Sequence, residues 1–517
     1  MRRSFFVAAL CAALLAAFVP VGRTDESVLK LVHATPRTEG EAAFLMAHFD
    51  ETHNHGDGHI EILAWPGDLA ELDATGIDYE VVVDDYVAAN SQPTAAPSPI
   101  RLPGPDRTDY RRLPDYNAEL QELAKKNKGL VKLFEMKRPS LEGRPIYGLE
   151  IAHDVNAKDG RPIFYIDGIH HAREWPASEY AMIFIHHLVE KYGKDPRVTS
   201  LLKKARVIAV PVVNVDGFDY SRESAIQNSN LGLGNGFEGY WRKNRRSFTG
   251  VTVPIPGRPL NPDGYGVDPN RNYAYLWGDS NGGSSGTYFD QTYRGAAPFS
   301  EPEVANVRDI ILGRTVTGVV TLHTYQGTVL RTGGGKAPDD GDLARIGEKV
   351  AKILGYESRP TVGYPTTGTT DDWAYAAMGA YGFTIENGVI GFHPPYAQEV
   401  GAFWKQHNKA FEALLEMAAD RRYHSVITGR APCSKSVTLQ KSFATELSPG
   451  NPTGEESFPE KLKIVTATSK NGSFELHVGP SSRPYEKKSE SYTLKSAGGS
   501  VKVTVDRGRT VNVGNVC

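Results

Sequence analysis

The hydrophobic pattern at the start of the chain predicts a small α/β module. Between residues 28 and 87, short apolar runs alternate with one amphipathic stretch, as expected for strands packed against helices. The predicted elements are strands at 29–33, 59–64 and 79–83, with helices at 39–48 and near Leu69. Residues 89–106 are rich in Pro, Ala and Ser. This composition is typical of an exposed linker, where proteases cut.

From residue 107 to about 422 the pattern alternates strand and helix over a much longer stretch. That order is typical of an α/β sheet covered by helices. The main predicted elements are core strands at 163–167, 207–213, 319–323 and 382–386, with helices at 177–192 and 343–354. Each of these strands ends close to polar residues. Since open α/β sheets bind ligands beyond the carboxyl ends of their strands, we expect a functional site at this edge.

The two ends of the chain have different patterns again. A basic start, Arg2 and Arg3, precedes an apolar run over 5–19, which is typical of an export signal and too short for a comfortable membrane span. After residue 430, short alternating runs separated by Gly, Pro and Ser predict a β-sandwich. The predicted divisions are therefore a signal peptide at 1–24, a prosegment at 25–88, a linker at 89–106, a main domain at 107–425 and a β-sandwich appendage at 430–517.

Length, charge and cysteine content narrow the possible functions. At 517 residues the chain is too long for one core. Its 58 basic and 61 acidic residues nearly balance, so the charge does not favour a nucleic-acid partner. From the export signal we expect a secreted protein without a stable membrane span. We also expect it to be a monomer. Removing the signal removes Cys11 and leaves Cys433 and Cys517, which usually pair in an exported protein. The main domain has no cysteine, which excludes thiolate catalysis and cysteine-ligated zinc there.

Four residues near strand ends form a candidate catalytic zinc site. His171 and Glu174 stand three positions apart after the strand at 163–167, although this spacing alone is more often a surface ion pair. A catalytic zinc takes three protein ligands and keeps one position open, and His323 at the end of another strand supplies the third. Hydrolysis also needs a carboxylate that takes and returns a proton. Glu386 ends a further apolar strand and is placed for that task.

These segments together resemble the zinc metallocarboxypeptidase family of the pancreatic carboxypeptidases A and B and bacterial carboxypeptidase T. The resemblance covers roughly 107–422 and includes Asn214-Val215-Asp216-Gly217-Phe218, which matches a family signature. It implies a mixed eight-stranded sheet flanked by helices, one Zn²⁺ ion, and removal of residues from peptides or proteins that have a free C-terminal carboxylate. The small N-terminal module resembles the family's activation prosegment in size and place, so we expect a zymogen that is activated by cutting the linker.

The resemblance also implies a role for each site residue. His171, Glu174 and His323 would be the zinc ligands, and Glu386 would act as general base and then general acid. The remaining implied roles are oxyanion stabilisation by Arg242, capture of the terminal carboxylate by Asn270 and Arg271, orientation of a zinc histidine by Asp268, lining of the cleft by Arg173, and closure over the bound residue by Tyr364.

Specificity is predicted to depend on Asp371. In family members that remove Lys or Arg an acidic residue stands at this position, and burying a cationic side chain needs a paired charge. We therefore expect a preference for basic C-terminal residues, or a mixed tolerance of basic and neutral ones. The alternatives are that Asp371 caps a neighbouring turn or pairs with a cation of the protein itself.

Two other functions compete with the peptidase. One is a non-catalytic peptide-binding or cell-surface protein that kept the fold, which loss of Glu386 or of a zinc ligand would favour. The other is an amidohydrolase or cell-wall peptidase on the same scaffold, whose members usually lack the Asn270-Arg271 pair or the Tyr364 context. This sequence retains all of these residues.

Overall fold

The computed structural model describes residues 28–54, 58–90, 107, 109–224, 237–248, 266–279, 283–361, 366–486 and 488–517. The predicted signal peptide and residues 91–106 of the predicted linker lie outside these ranges.

The N-terminal module contains a four-stranded antiparallel sheet in the order β2-β3-β1-β4. Its elements are β1 (Lys30–Thr35), α1 (Glu39–His48), β2 (Glu51–Asn54), β3 (Ile60–Ala64), α2 (Asp68–Thr75), β4 (Asp78–Val83) and α3 (Tyr86–Asn90). Helix α1 begins where the Thr38 side chain accepts a hydrogen bond from the Glu41 amide, 3.1 Å away. Strand β2 was not predicted because its sequence, Glu-Thr-His-Asn, has no apolar residue.

The main domain contains a mixed eight-stranded sheet in the order β11-β10-β12-β9-β7-β8-β6-β5, which confirms the predicted fold class. Its strands are β5 (Val131–Glu135), β6 (Tyr147–Ile151), β7 (Ile163–Gly168), β8 (Arg206–Val210), β9 (Val316–His323), β10 (Thr328–Arg331), β11 (Glu357–Arg359) and β12 (Tyr381–Glu386). Strands β12, β9, β7 and β8 run parallel at the centre of the sheet. All residues of β7, β8 and β9 are buried, which explains their continuous apolar runs.

Eight α-helices accompany this sheet in the described part of the main domain. They are α4 (Leu113–Lys126), α5 (Trp175–Lys191), α6 (Pro196–Lys204), α7 (Val215–Asp219), α8 (Pro302–Gly313), α9 (Asp340–Leu354), α10 (Thr370–Met378) and α11 (Val400–Ala419). Shorter helical turns cover Tyr220–Ser224, Phe237–Tyr240, Pro269–Arg271 and Thr332–Gly335. None of the helices in the described ranges is long and apolar enough to cross a membrane.

The C-terminal appendage consists of two sheets, in the orders β16-β13-β19 and β15-β14-β17-β18. Its strands are β13 (Ser425–Arg430), β14 (Ser436–Glu446), β15 (Ser457–Ala467), β16 (Ser473–Val478), β17 (Tyr492–Lys495), β18 (Ser500–Val503) and β19 (Thr510–Asn515). Cys433 and Cys517 form the expected disulfide across 84 positions. Buried residues of the appendage belong to the same hydrophobic cluster as the core of the main domain, so the two parts share one continuous interior.

Candidate active site

The parallel strands bring the candidate metal ligands to one edge of the sheet. His323 is the last residue of β9, and Glu386 is the last residue of β12 and its partner in register. Strand β7 lies on the other side of β9 and leads directly into the turn that carries His171 and Glu174. At the start of this turn Ile169 is fully buried with φ of 55°, an uncommon conformation for a β-branched residue.

The donor atoms of His171, Glu174 and His323 converge on one point. Nδ1 of His171 lies 2.6 Å from Glu174 Oε1, and Nδ1 of His323 lies 3.0 Å from Glu174 Oε2. The two Nδ1 atoms are 3.1 Å apart, an arrangement that is favourable only with a proton or a cation between them. Two imidazole nitrogens and one carboxylate are a typical ligand set for catalytic zinc, so these three residues could hold the ion.

Asp268 connects the histidine to the arginine beside it. Its Oδ1 lies 3.1 Å from His171 Nε2, while its Oδ2 accepts hydrogen bonds from Arg242 Nε and Nη2 at 3.1 and 2.9 Å. Burial disfavours the charged carboxylate, but Arg242 and His171 outweigh it and hold the pKa of Asp268 well below its usual value. An anionic Asp268 therefore orients the His171 ring so that its Nδ1 points at the candidate metal-ligand atoms of Glu174 and His323.

Asn270 and Arg271 lie in the short helix that follows Asp268. Oδ1 of Asn270 accepts hydrogen bonds from the backbone and the hydroxyl of Thr370, at 3.0 and 3.1 Å. The Arg271 guanidinium donates to the carbonyls of Gly283 and Asn270. Within the described residues, no acidic side chain lies within salt-bridge distance of Arg271. Its charge is therefore available to an anionic ligand.

A cavity of about 460 Å³ connects these groups. Its lining includes the three candidate ligands together with Arg242, Asn270, Arg271, Asp371 and Glu386. The size is within the usual range for small-molecule sites. The predicted ligands, catalytic residues and substrate-binding residues in the described ranges thus border one cavity, and Asp268 contacts two of them from behind. Tyr364 lies outside the described residues.

Asp371 lies at the start of α10 and is buried, with only 6% of its surface exposed. Burial, and next the charge of Asp372, raise the pKa of Asp371. Asp372 holds the neighbouring turn, since it accepts hydrogen bonds from the Gly333 amide and the Thr332 hydroxyl at 2.7 and 2.8 Å. Across the described residues, no basic side chain lies within salt-bridge distance of Asp371, so the alternative of an internal cation is not supported.

Arg173 lines the cavity, but it lies beneath the N-terminal module. Both of its terminal nitrogens donate to the Asp50 carboxylate, and Arg173 is fully buried. Trp65 Nε1 donates to the same carboxylate at 2.9 Å. Asp50 was not predicted because it is 123 positions from Arg173 and no pattern in the sequence marks the pair.

Comparison with known proteins agrees with this geometry. The family model described as zinc carboxypeptidase matches residues 116–409. Human carboxypeptidase B is 28% identical over 317 residues, which cover 58% of this chain and 69% of the relative. Mouse carboxypeptidase A2 is 29% identical over 329 residues, which cover 61% of this chain and 71% of the relative.

Solved structures are similar in fold. The crystal structure of thrombin activatable fibrinolysis inhibitor matches with a TM-score of 0.58 and 20% identity, covering 76% of this chain and 98% of that one. The carboxypeptidase A from Helicoverpa armigera matches with a TM-score of 0.58 and 22% identity, with the same coverage. At this identity the likeness concerns the fold alone.

Proposed function

The chain belongs to the zinc carboxypeptidase family, and from this premise we propose that it is a secreted zymogen whose processed form removes C-terminal residues one at a time. Family membership makes it a zinc metallocarboxypeptidase, which disfavours the non-catalytic alternative. The observation that carries the proposal is the convergence of His171, Glu174 and His323 in one cavity with Glu386 and with Arg271, which has no acidic partner among the described residues.

Each side chain has a distinct task in the proposed reaction. Zinc, when bound, polarises the scissile carbonyl and lowers the pKa of a water molecule. Glu386 takes a proton from this water and returns it to the leaving amine nitrogen. Arg242, fixed by its two hydrogen bonds to Asp268, stabilises the negative charge that develops on the carbonyl oxygen.

The Asn270-Arg271 pair accounts for exopeptidase activity. A planar guanidinium binds a carboxylate through two parallel hydrogen bonds, and Arg271 borders the cavity that also contains the candidate zinc ligands. A terminal carboxylate bound there limits cleavage to the last peptide bond.

The direct test uses one peptide in two forms, with a free and with an amidated C terminus. Mass spectrometry of digests by the processed protein is expected to show stepwise loss of single residues from the free form only, and a chelator should stop it. Equal cleavage of the amidated form would overturn the exopeptidase proposal and favour the amidohydrolase alternative.

Contacts of the N-terminal module with the cavity support the zymogen proposal. Besides the Asp50–Arg173 pair, Thr52 of the module lines the cavity, and Tyr325 donates to Glu61 of the module at 2.9 Å. Apolar contacts add to these. Leu29, Leu63, Trp65 and Tyr86 of the module form one buried cluster with Phe237, Tyr240 and Phe392 of the main domain. The module therefore covers the approach to the cavity until the linker is cut.

The predicted secretion is supported by the disulfide. Structural disulfides persist in oxidising compartments and are rare in the cytosol, and Cys433 and Cys517 are bonded in the appendage. Together with the apolar run over 5–19, this favours an exported enzyme.

A preference for basic C-terminal residues is supported by Asp371, which has no cationic partner among the described residues. Replacing Asp371 by asparagine is expected to reduce kcat/KM for peptides ending in Arg, relative to those ending in Leu, by about 100-fold, because a buried charge pair is lost. The control is Asp279→Asn, which removes a charge from the same cavity and should change this ratio much less. An unchanged ratio in Asp371→Asn would contradict the assignment.

The same preference is expected to depend on pH. Since burial and Asp372 raise the pKa of Asp371, a larger share of this carboxyl is neutral in mildly acidic solution than for an exposed aspartate. As the pH rises, Asp371 ionises and the ratio of kcat/KM for Arg-ending to Leu-ending peptides should increase. Steady-state kinetics of both peptides at several pH values measure this ratio, and a ratio that falls or stays constant would contradict the assignment.

A further inference from the structure

We propose that the C-terminal appendage forms part of the substrate pocket and that its Tyr485 determines which C-terminal side chains the enzyme accepts. This inference rests on the proposed carboxypeptidase function. Tyr485 borders the same cavity as the candidate zinc ligands, Arg271 and Asp371, although it belongs to the segment between β16 and β17 of the appendage.

The Tyr485 ring completes the pocket wall by close contact with the main domain. It stacks on Tyr275, with ring centroids 5.2 Å apart and planes within 8°, and makes a T-shaped contact with Tyr375, with ring centroids 5.6 Å apart. Tyr275, Gly333 and Gly334 line the cavity beside it. A Cβ atom added to Gly333 would lie 2.6 Å from the Tyr485 hydroxyl oxygen. The absence of a side chain at Gly333 therefore leaves room for the Tyr485 hydroxyl.

Interactions within the appendage fix the turn that carries Tyr485. The Glu486 amide donates to the Arg483 carbonyl at 3.0 Å, and the Arg483 guanidinium donates to Glu490 and to the Ala444 carbonyl. Arg483 is 8% exposed, so this network is largely shielded from solvent. These hydrogen bonds hold the Tyr485 ring in position before a ligand binds.

The appendage also holds the helix that carries Asp371. Trp373 Nε1 in α10 donates to the carboxylate of Glu460 in β15, at 3.1 Å, and Glu460 is buried. At the end of α10 the appendage approaches so closely that a Cβ atom on Gly479 would lie 1.6 Å from the Met378 carbonyl oxygen. Both the charged residue of the pocket and its aromatic wall thus depend on contacts with the appendage.

An aromatic ring and a carboxylate that line the same cavity suit a long cationic side chain. The methylene stem of a terminal Arg or Lys packs on the part of the ring that borders the cavity, opposite Tyr275. Its charge is attracted by the aromatic ring and by Asp371. A terminal alanine is too short to reach either group. Tyr485 therefore contributes to the binding of long C-terminal side chains and not to the chemical step.

The test compares processed, zinc-loaded wild type with Tyr485→Ala and Tyr485→Phe on peptides that end in Arg or Ala. For Tyr485→Ala we expect kcat/KM on the Arg peptide to fall roughly tenfold, mainly through KM, with the Ala peptide within about twofold. Tyr485→Phe keeps the ring and should stay near wild type. The matched control is Phe458→Ala, which removes a ring that packs on Phe299 at the same interface, 5.4 Å between centroids, but does not line the cavity.

The inference would be overturned if Tyr485→Ala lost kcat/KM equally on both peptides or on neither. It would also be overturned if Phe458→Ala showed the same change in selectivity. Calorimetry of the binding of free L-arginine and L-alanine tests the role of Tyr485 separately from the proposed peptidase activity, because binding needs no turnover. Weaker arginine binding in Tyr485→Ala would support the pocket even if no peptide were cleaved. Unchanged arginine binding in the variant, or none in wild type, would overturn it.

Discussion

Replacing Glu386 by glutamine is expected to lower kcat of the processed enzyme by about 1000-fold, as is typical when a general base is lost. Glutamine keeps the shape of the side chain but cannot accept and return the proton. Glu386 borders the cavity at the end of β12 and is not among the grouped metal-binding residues, so zinc content should stay near one per chain. Steady-state kinetics with elemental analysis of the same sample measure both quantities.

A control for this variant is Glu357→Gln, because Glu357 lies in β11 of the same sheet, is exposed and pairs with Arg359. Its kcat should match wild type. Should Glu386→Gln retain kcat within about tenfold of wild type, or lose its zinc, the role of general base would be wrong.

Replacing Asp50 by alanine is expected to raise the activity of the uncut chain by about 100-fold. In the docked form this change leaves Arg173 buried without its partner, and loss of one member of a buried ion pair costs about 3–5 kcal/mol. When the N-terminal module moves off the main domain, Arg173 is exposed to solvent and no longer bears this cost. The equilibrium between the docked and undocked module therefore shifts toward the undocked form, in which the cavity is open to substrate. The measurement is peptide hydrolysis by uncut chains, with cleavage of the linker excluded by mass spectrometry.

Asp73→Ala is the matched control, since Asp73 is a carboxylate of the same module that accepts a hydrogen bond from Tyr79 within the module. The uncut Asp73→Ala chain should stay as inactive as the uncut wild type, and all variants should reach the same activity after processing. Uncut wild type with the activity of the processed enzyme would refute the zymogen proposal.

The sequence predicted the central sheet well because its strands are buried on both faces. Residues 163–167 and 319–323 are continuous apolar runs and were found within a few positions of β7 and β9. The candidate ligands were found because they lie at the end of such a strand or within a few residues after it. In contrast, β2 was missed because its four residues are polar and its pairing with β3 comes from the tertiary structure.

Contacts between domains had no signal in the sequence. The Asp50–Arg173 pair and the stacking of Tyr485 on Tyr275 each join residues that are far apart in the sequence. Asp50, Tyr275 and Tyr485 stand in no recognisable motif, and the motif that contains Arg173 does not indicate its partner. Arg173 was expected to line the cleft, and it does so, but its burial beneath the module depends on how the module docks. Periodicity and spacing describe local structure and cannot predict such docking.

Anomalous diffraction at the zinc edge from crystals of the protein tests the three-ligand zinc site directly. We expect one strong peak about 2.0–2.2 Å from Nδ1 of His171, Nδ1 of His323 and the Glu174 carboxylate, with Glu386 facing the ion without coordinating it. A metal bound elsewhere, or a peak at this place that lacks any one of the three ligands, would contradict it.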